Sequence, residues 1–134
     1  MQSELKNLLI QNDIRNVVLK GQVKNIQTII PQYDLVVMSS TFEGCSLGVL
    51  EAMALEMPLL LSDIESFREQ CGDTAVYFKL EDTADFVNKL KALASDKSAM
   101  KQLGESGRIR VLENFTLDIH MKGLRRIYSD ALTG

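Results

Sequence analysis

The run from Leu35 to Asp63 most constrains how this chain can fold. Its first four residues are apolar, which is typical of a parallel strand covered on both faces. A loop of small and polar residues follows, and an apolar pattern at helical spacing then begins after Ser46 and is stopped by Pro58. Leucines at positions 59–61 predict a second buried strand. Together these features indicate an α/β fold with a parallel sheet and flanking helices.

The loop between the first strand and the helix is a candidate anion site. Where it meets the helix, from Cys45 to Gly48, unpaired amides and the positive end of the helix dipole converge. We expect the Ser46 hydroxyl to cap the helix by accepting from an amide of its first turn. Ligands of open α/β sheets bind at the carboxyl ends of the strands, which is where this loop is expected to lie.

Two glutamates flank this loop, Glu43 before the helix and Glu51 in its second turn. A carboxylate repels a bare phosphate, but it accepts charge-assisted hydrogen bonds from sugar hydroxyls. An anion site with an acid on either side therefore suits a nucleotide sugar, in which a diphosphate joins a ribose to a hexose.

The segment Glu43–Glu51, with the sequence EGCSLGVLE, resembles the E-x7-E signature of retaining glycosyltransferases of family four, which have the GT-B fold. The resemblance covers nearly the whole chain. The other matching positions are Ser40, the run AMA at 52–54, Pro58, the segment EQCGDTAVYF at 69–78, Phe115-Thr116 and Ile127-Tyr128.

This resemblance implies a Rossmann-like parallel sheet, the C-terminal donor-binding half of a GT-B fold without its first strand, helix and strand. It implies that Glu43, as the catalytic residue, lies against the donor sugar and that Glu51 binds the ribose hydroxyls. Backbone groups of Gln22 and Val23 would either contact the nucleobase or form a solvated turn. The diphosphate would be bound by backbone amides of Gly44, Cys45, Ser46, Leu47 and Gly48.

Three positions depart from the family pattern within the signature. Cys45 stands where phenylalanine is common, Ser46 where glycine is common, and Gly48 where proline or another small residue is common. The first two change the wall of the sugar pocket, so the sequence leaves the identity of the sugar open.

In the family, a further strand, helix and strand precede the helix that we predict from Ser3, and an acceptor-binding domain precedes those. That opening carries an arginine and a lysine that neutralise the departing diphosphate, so we expect this chain to be a fragment that does not turn over by itself.

Without that strand, helix and strand, two edges of the sheet would be unpaired. We expect either the strand predicted at 17–19 to shift beside the strand at 35–38, or two chains to pair edge to edge.

Composition limits the remaining possibilities. The 134 residues suggest one domain, 1–134, whose C-terminal helices span 98–132, and the net charge of −3 argues against a nucleic-acid partner. Two cysteines form no disulfide framework, and no leader or membrane-spanning run is evident, so we expect a cytoplasmic location. A basic excess from Lys97 to Arg126 indicates either a solvated helical face or peripheral contact with the inner membrane face.

No metal or other cofactor is expected, since the UDP- or GDP-linked sugar would be a substrate. Asp63 to Glu65 has the spacing of a D-x-D metal motif, but we interpret it as a loop with a helix cap. Elsewhere the patterns predict helices at 3–11, around 26–30, and at 64–70, 82–95, 98–114 and 117–132, and strands at 17–19 and 75–78.

Two functions remain open from the sequence. The chain is either the donor-binding domain of a hexosyltransferase or a module that binds a nucleotide sugar without transferring it. A receiver-like or flavodoxin-like signalling domain has a similar size, but its acidic pair at an opening strand and its lysine at a late strand are absent from this sequence.

Overall fold

The computed structural model describes residues 2–133, which contain an open sheet of three parallel strands with helices against both faces. The strands are β1 (Val36–Met38), β2 (Leu59–Ser62) and β3 (Val76–Phe78), in the order β1-β2-β3. β2 is central and pairs in parallel with both neighbours, with Leu60 opposite Val37 and Val76. The predicted α/β parallel sheet is confirmed.

Residues 2–133 contain six α-helices: α1 (Gln2–Gln11), α2 (Leu47–Ala54), α3 (Glu65–Cys71), α4 (Thr83–Ser95), α5 (Lys97–Asn114) and α6 (Leu117–Thr133). Single turns of 3-10 helix lie at Ile26–Thr28, Ile30–Gln32 and Gly72–Thr74. α4 and α5 begin at aspartates that cap them: Asp82 accepts from the Asp85 amide at 3.0 Å, and Asp96 from the Ala99 amide at 2.9 Å. No helix among residues 2–133 is both long enough and apolar enough to cross a membrane.

The β2 strand is buried on both faces, and each face has its own core. Leu59 and Leu61 pack in a cluster with side chains of α2 and α3, including Met53 and Phe67. Leu60 faces the other side and packs with Phe78 and the α4 residue Leu93. Because these clusters fix β2 from both sides, they also fix the loops that leave the sheet at its carboxyl edge.

The prediction of a strand at 17–19 is wrong. Residues 14–25 form neither helix nor strand, and Val18 is 78% exposed. Within the described residues β1 pairs only with β2, so the other edge of β1 has no strand beside it. A strand needs a neighbour to satisfy its backbone groups, and segment 17–19 has no such neighbour. The expectation that this strand shifts beside β1 is therefore also wrong.

The predicted end of α2 needs a smaller correction. The helix ends at Ala54, before Pro58, because the chain turns at Glu56 with a φ of 58°. The Ala54 carbonyl accepts a hydrogen bond from Arg108 Nη1 at 2.6 Å. The turn is thus stabilised by a contact from α5, which no local pattern indicates.

Candidate functional site

The loop from Ser39 to Ser46, which we call the β1–α2 loop, leads from the carboxyl end of β1 to the N-terminus of α2. Gly44, Cys45 and Leu47 are exposed there. The first backbone bond of the helix runs from the Leu50 amide to the Ser46 carbonyl at 3.2 Å. The amides that come before Leu50 therefore lie outside the helical ladder, as in sites that bind anions.

Ser46 occupies the position before the helix, but the predicted cap by its hydroxyl is wrong. The side chain makes no capping bond, and its Oγ lies 3.9 Å from Met38 Sδ. Its backbone is bound by the side chain of Gln70: the Ser46 amide donates to Oε1 at 3.1 Å, and the Ser46 carbonyl accepts from Nε2 at 2.8 Å. Of the five amides predicted for the diphosphate, that of Ser46 is therefore already occupied.

Glu43 is half-buried at the start of this site. Its Oε1 accepts a hydrogen bond from Ser40 Oγ at 2.7 Å, and the Ser40 carbonyl accepts from Ser62 Oγ at 2.6 Å, which joins the loop to β2. Glu43 lines a cavity of about 580 Å³ whose wall includes residues of α3. The other lining residues are Thr41, Phe42, Gly44, Ile64, Glu65, Ser66 and Glu69.

Glu51 lies in the second turn of α2 and is also half-buried. Its Oε1 accepts a hydrogen bond from Gln27 Nε2 at 2.9 Å, and Gln27 lies in the 3-10 turn that precedes β1. Glu51 does not line the cavity beside Glu43. The two carboxylates thus have different surroundings, Glu43 near α3 and Glu51 near the turn at 26–28.

The two predicted base-contacting residues have different environments. Gln22 is exposed, whereas Val23 is half-buried and lines an apolar hollow of about 410 Å³. Val18, Ile29, Leu35 and Val36 also line this hollow, which lies beside the open edge of β1. Val23 therefore lies in a concave part of the surface.

The sequence interpretation gave no site role to several residues that contact the site from elsewhere in the chain, among them Gln27, Gln70 and Phe115. Phe115 lines a small cavity of about 130 Å³ together with Gly44, Cys45 and Gln70. One signal was available for Gln70, because it lies on the apolar face of α3 between the fully buried Phe67 and Cys71. A polar side chain at such a position needs a buried partner.

One charged group that follows β2 near the loop, Asp63, is already paired with a cation. Arg68 donates two hydrogen bonds to Asp63, at 2.6 and 2.8 Å, and this pairing holds the pKa of the Asp63 carboxyl below its ordinary value. Asp63 therefore pairs with Arg68. The helix cap predicted for this segment is wrong, because the residue before α3 is Ile64 and no side chain caps the helix. Burial raises the pKa of the Cys71 thiol to about 12, so this thiol stays protonated at neutral pH.

This chain resembles known proteins both in sequence and in fold. Residues 1–96 match the family model described as "Glycosyl transferases group 1". N-acetyl-alpha-D-glucosaminyl L-malate synthase from Bacillus anthracis is 28% identical over 130 residues, which cover 96% of this chain and 33% of that protein. Sucrose-phosphate synthase from Thermosynechococcus elongatus superposes with a TM-score of 0.88 at 19% identity, over 98% of this chain and 34% of the other.

A glycosyltransferase from Rickettsia africae superposes with a TM-score of 0.89 at 18% identity, over 98% of this chain and 36% of the other. At such identities the structural likeness shows the fold, which is that of GT-B glycosyltransferases. The chain spans about a third of the length of these proteins. On the match of the family model over most of its length, this chain belongs to the group 1 glycosyltransferase family.

Proposed function

We propose that this chain is the donor-binding part of a retaining glycosyltransferase that transfers a hexose from a nucleoside-diphosphate sugar to a glycan or lipid acceptor. One observation carries the proposal: the exposed N-terminus of α2 follows the half-buried Glu43 of the β1–α2 loop, and the half-buried Glu51 lies in the second turn of the same helix. Membership of the family supports sugar transfer as the reaction of the complete protein.

Both carboxylates are held by neutral donors, Glu43 by the Ser40 hydroxyl and Glu51 by the Gln27 amide. A carboxylate has about four lone-pair sites, so each can accept further hydrogen bonds from sugar hydroxyls. In the proposed complex Glu43 binds the hexose in the cavity beside α3, Glu51 binds the ribose, and the amides of Leu47 and Gly48 bind the diphosphate.

The departing diphosphate needs positive charge that this site does not provide. Neither the cavity beside Glu43 nor the smaller one beside Cys45 has a lysine or arginine among its described lining residues. Stabilising the developing charge is usually the largest contribution to such catalysis. We therefore propose that other parts of the complete protein supply these cations and the acceptor site, and that this chain alone binds the donor without transferring it.

The lack of lysine and arginine in the described lining of these two cavities also favours a second candidate function, that of a module that binds a nucleotide sugar without transferring it. In either case we propose that no metal anchors the diphosphate, because the Asp63 carboxylate of the D-x-D-like segment is bound at both oxygens by Arg68. A cytoplasmic location is part of the proposal, and it is supported by the two free cysteines, Cys45 and Cys71.

Calorimetry with UDP, GDP and their hexose conjugates tests the proposal. Glu51→Ala should weaken binding of the free nucleotide by about 1.5–3 kcal/mol, the scale of a hydrogen bond to a charged group. Glu43→Ala should leave UDP or GDP binding unchanged but weaken binding of the intact sugar donor. Glu113→Ala, on the exposed side of α5, is the matched control.

Equal losses for both ligands in the two variants would refute the division of roles between Glu43 and Glu51. No binding of any of these ligands by the wild-type chain would refute the donor site itself. A donor-hydrolysis assay on the complete protein then separates the two candidates, since only a transferase should release the sugar.

A further inference from the structure

On the basis of the proposed function, we infer that Gln70 is a positioning residue: it holds the β1–α2 loop in the conformation that binds the diphosphate. Gln70 belongs to α3 and is separated from Ser46 by 24 residues along the chain. It does not touch the ligand in this proposal, because it acts through the backbone of Ser46.

The contact between Gln70 and Ser46 has two points. The side-chain amide of Gln70 pairs with both the N–H and the C=O of Ser46, at 3.1 and 2.8 Å, much as a neighbouring strand would. Two parallel contacts fix the orientation of the Ser46 backbone as well as its position. Both residues are buried, at 4% and 6% exposure, so water competes little for these hydrogen bonds.

The position of Gln70 is in turn fixed by the core. Its neighbours Phe67 and Cys71 are fully buried. Arg110 of α5 donates to the carbonyls of Glu69 and Gln70, each at 2.8 Å. The end of α3 is therefore anchored to α5, and the loop is attached through Gln70 to a rigid part of the molecule rather than to another loop.

This attachment has a consequence for the donor site. With the Ser46 amide engaged and its carbonyl shared between Gln70 and the Leu50 amide, the amides of Leu47 and Gly48 are the first ones of the helix itself that are available to an anion. Without Gln70 the loop would lose its fixed point next to these amides. The diphosphate would then have to order the loop upon binding, which lowers its affinity.

A purely structural role makes a different prediction. If Gln70 only satisfies a buried backbone, then its loss should lower stability without a specific effect on nucleotide binding. Gln70→Met removes both hydrogen bonds at nearly constant volume. Leu93→Ala is the control, because it opens the core on the other face of the sheet and should reduce stability without touching the loop.

Two measurements decide the matter at a temperature where all variants are folded. Amide hydrogen exchange of the ligand-free wild-type chain should show Ser46 protected relative to the exposed Cys45, and Gln70→Met should remove that protection. Titration with UDP and GDP should show affinity reduced roughly tenfold in Gln70→Met, on the scale of a lost buried hydrogen bond, and unchanged in Leu93→Ala.

Affinity in Gln70→Met that matches the wild type, or that falls no more than in Leu93→Ala, would overturn the positioning role while leaving the donor site intact. An unprotected Ser46 amide in the wild type would also overturn it. A wild-type chain that binds neither nucleotide would refute the proposed function, and the positioning role with it.

Discussion

Cys45 is the side chain that most directly reports on the β1–α2 loop. It is exposed, and it lies between Gly44 and Ser46 where the loop enters α2. The other thiol, Cys71, is fully buried, and burial raises its pKa to about 12. The chain therefore carries one accessible thiol at the candidate site and one buried thiol in the core.

We predict that a maleimide labels the native protein once, at Cys45, and twice only after denaturation. Cys71 can react only when the core opens. Its labelling rate is therefore reduced in proportion to the small fraction of molecules that are open at any moment. Saturating UDP or GDP should slow labelling of Cys45 if the loop binds the diphosphate. Mass spectrometry of timed samples measures both effects, with Cys45→Ser as the control, and rapid double labelling of the native chain would contradict the assignment of burial.

For single residues, the sequence predicts that Glu43 precedes α2 and that Glu51 lies in its second turn, but it does not predict the hydrogen bonds that the two side chains make. The spacing of Glu43 and Glu51 around a strand end predicted two acids flanking the loop, because this follows from local geometry. The engagement of Ser46 by Gln70 depends on how α3 packs, over a separation of 24 residues. A serine before a helix suggests a cap, and only the tertiary contact shows that its backbone is used instead.

The helices agree closely with the sequence patterns where both the apolar periodicity and the signals for the helix ends are present. Predicted bounds for α3, α4 and α5 agree with the structure within one residue, since apolar periodicity and capping aspartates are local signals. Segment 17–19 has an equally good strand pattern and still forms no strand. Its pattern is local, but a strand requires a partner, and no described strand lies beside it.

The close approach of α5 to the turn that follows α2 explains one of the two buried glycines of α5. Gly104 and Gly107 are both buried in α5, although glycine weakens a helix. A Cβ at Gly104 would overlap the Glu56 carbonyl, which follows α2, whereas a Cβ at Gly107 would make an ordinary contact, 3.6 Å from Met53 Cγ. Only Gly104 is thus required by the packing.

We predict that Gly104→Ala lowers the free energy of unfolding by about 1–3 kcal/mol, because a backbone carbonyl cannot give way as a flexible side chain can. The paired control, Gly107→Ala, should be neutral or stabilising by about 0.5–1 kcal/mol, from the better helix propensity of alanine. Urea denaturation monitored by circular dichroism measures both. Similar values for the two variants would contradict the close approach of α5 to Glu56.

The open edge of β1 is the main feature at the scale of the whole molecule. Within residues 2–133 β1 has a strand on one side only, and Val37 in its centre is 42% exposed. Apolar side chains of the irregular segment before β1 line the hollow beside this edge. An edge with unpaired backbone groups and apolar neighbours is a surface onto which another strand can pair.

We predict that two copies of the chain associate through this edge, since each copy presents the same unpaired groups. Sedimentation over a range of concentrations should show a monomer–dimer equilibrium for the wild type. Val37→Lys should shift it to monomer, because a charged side chain on an edge strand opposes pairing. Leu132→Lys is the control, at an exposed apolar residue of α6 that is 87% accessible. A monomer at all concentrations would refute the association, and a dimer that survives Val37→Lys but not Leu132→Lys would place the contact on α6 instead of β1.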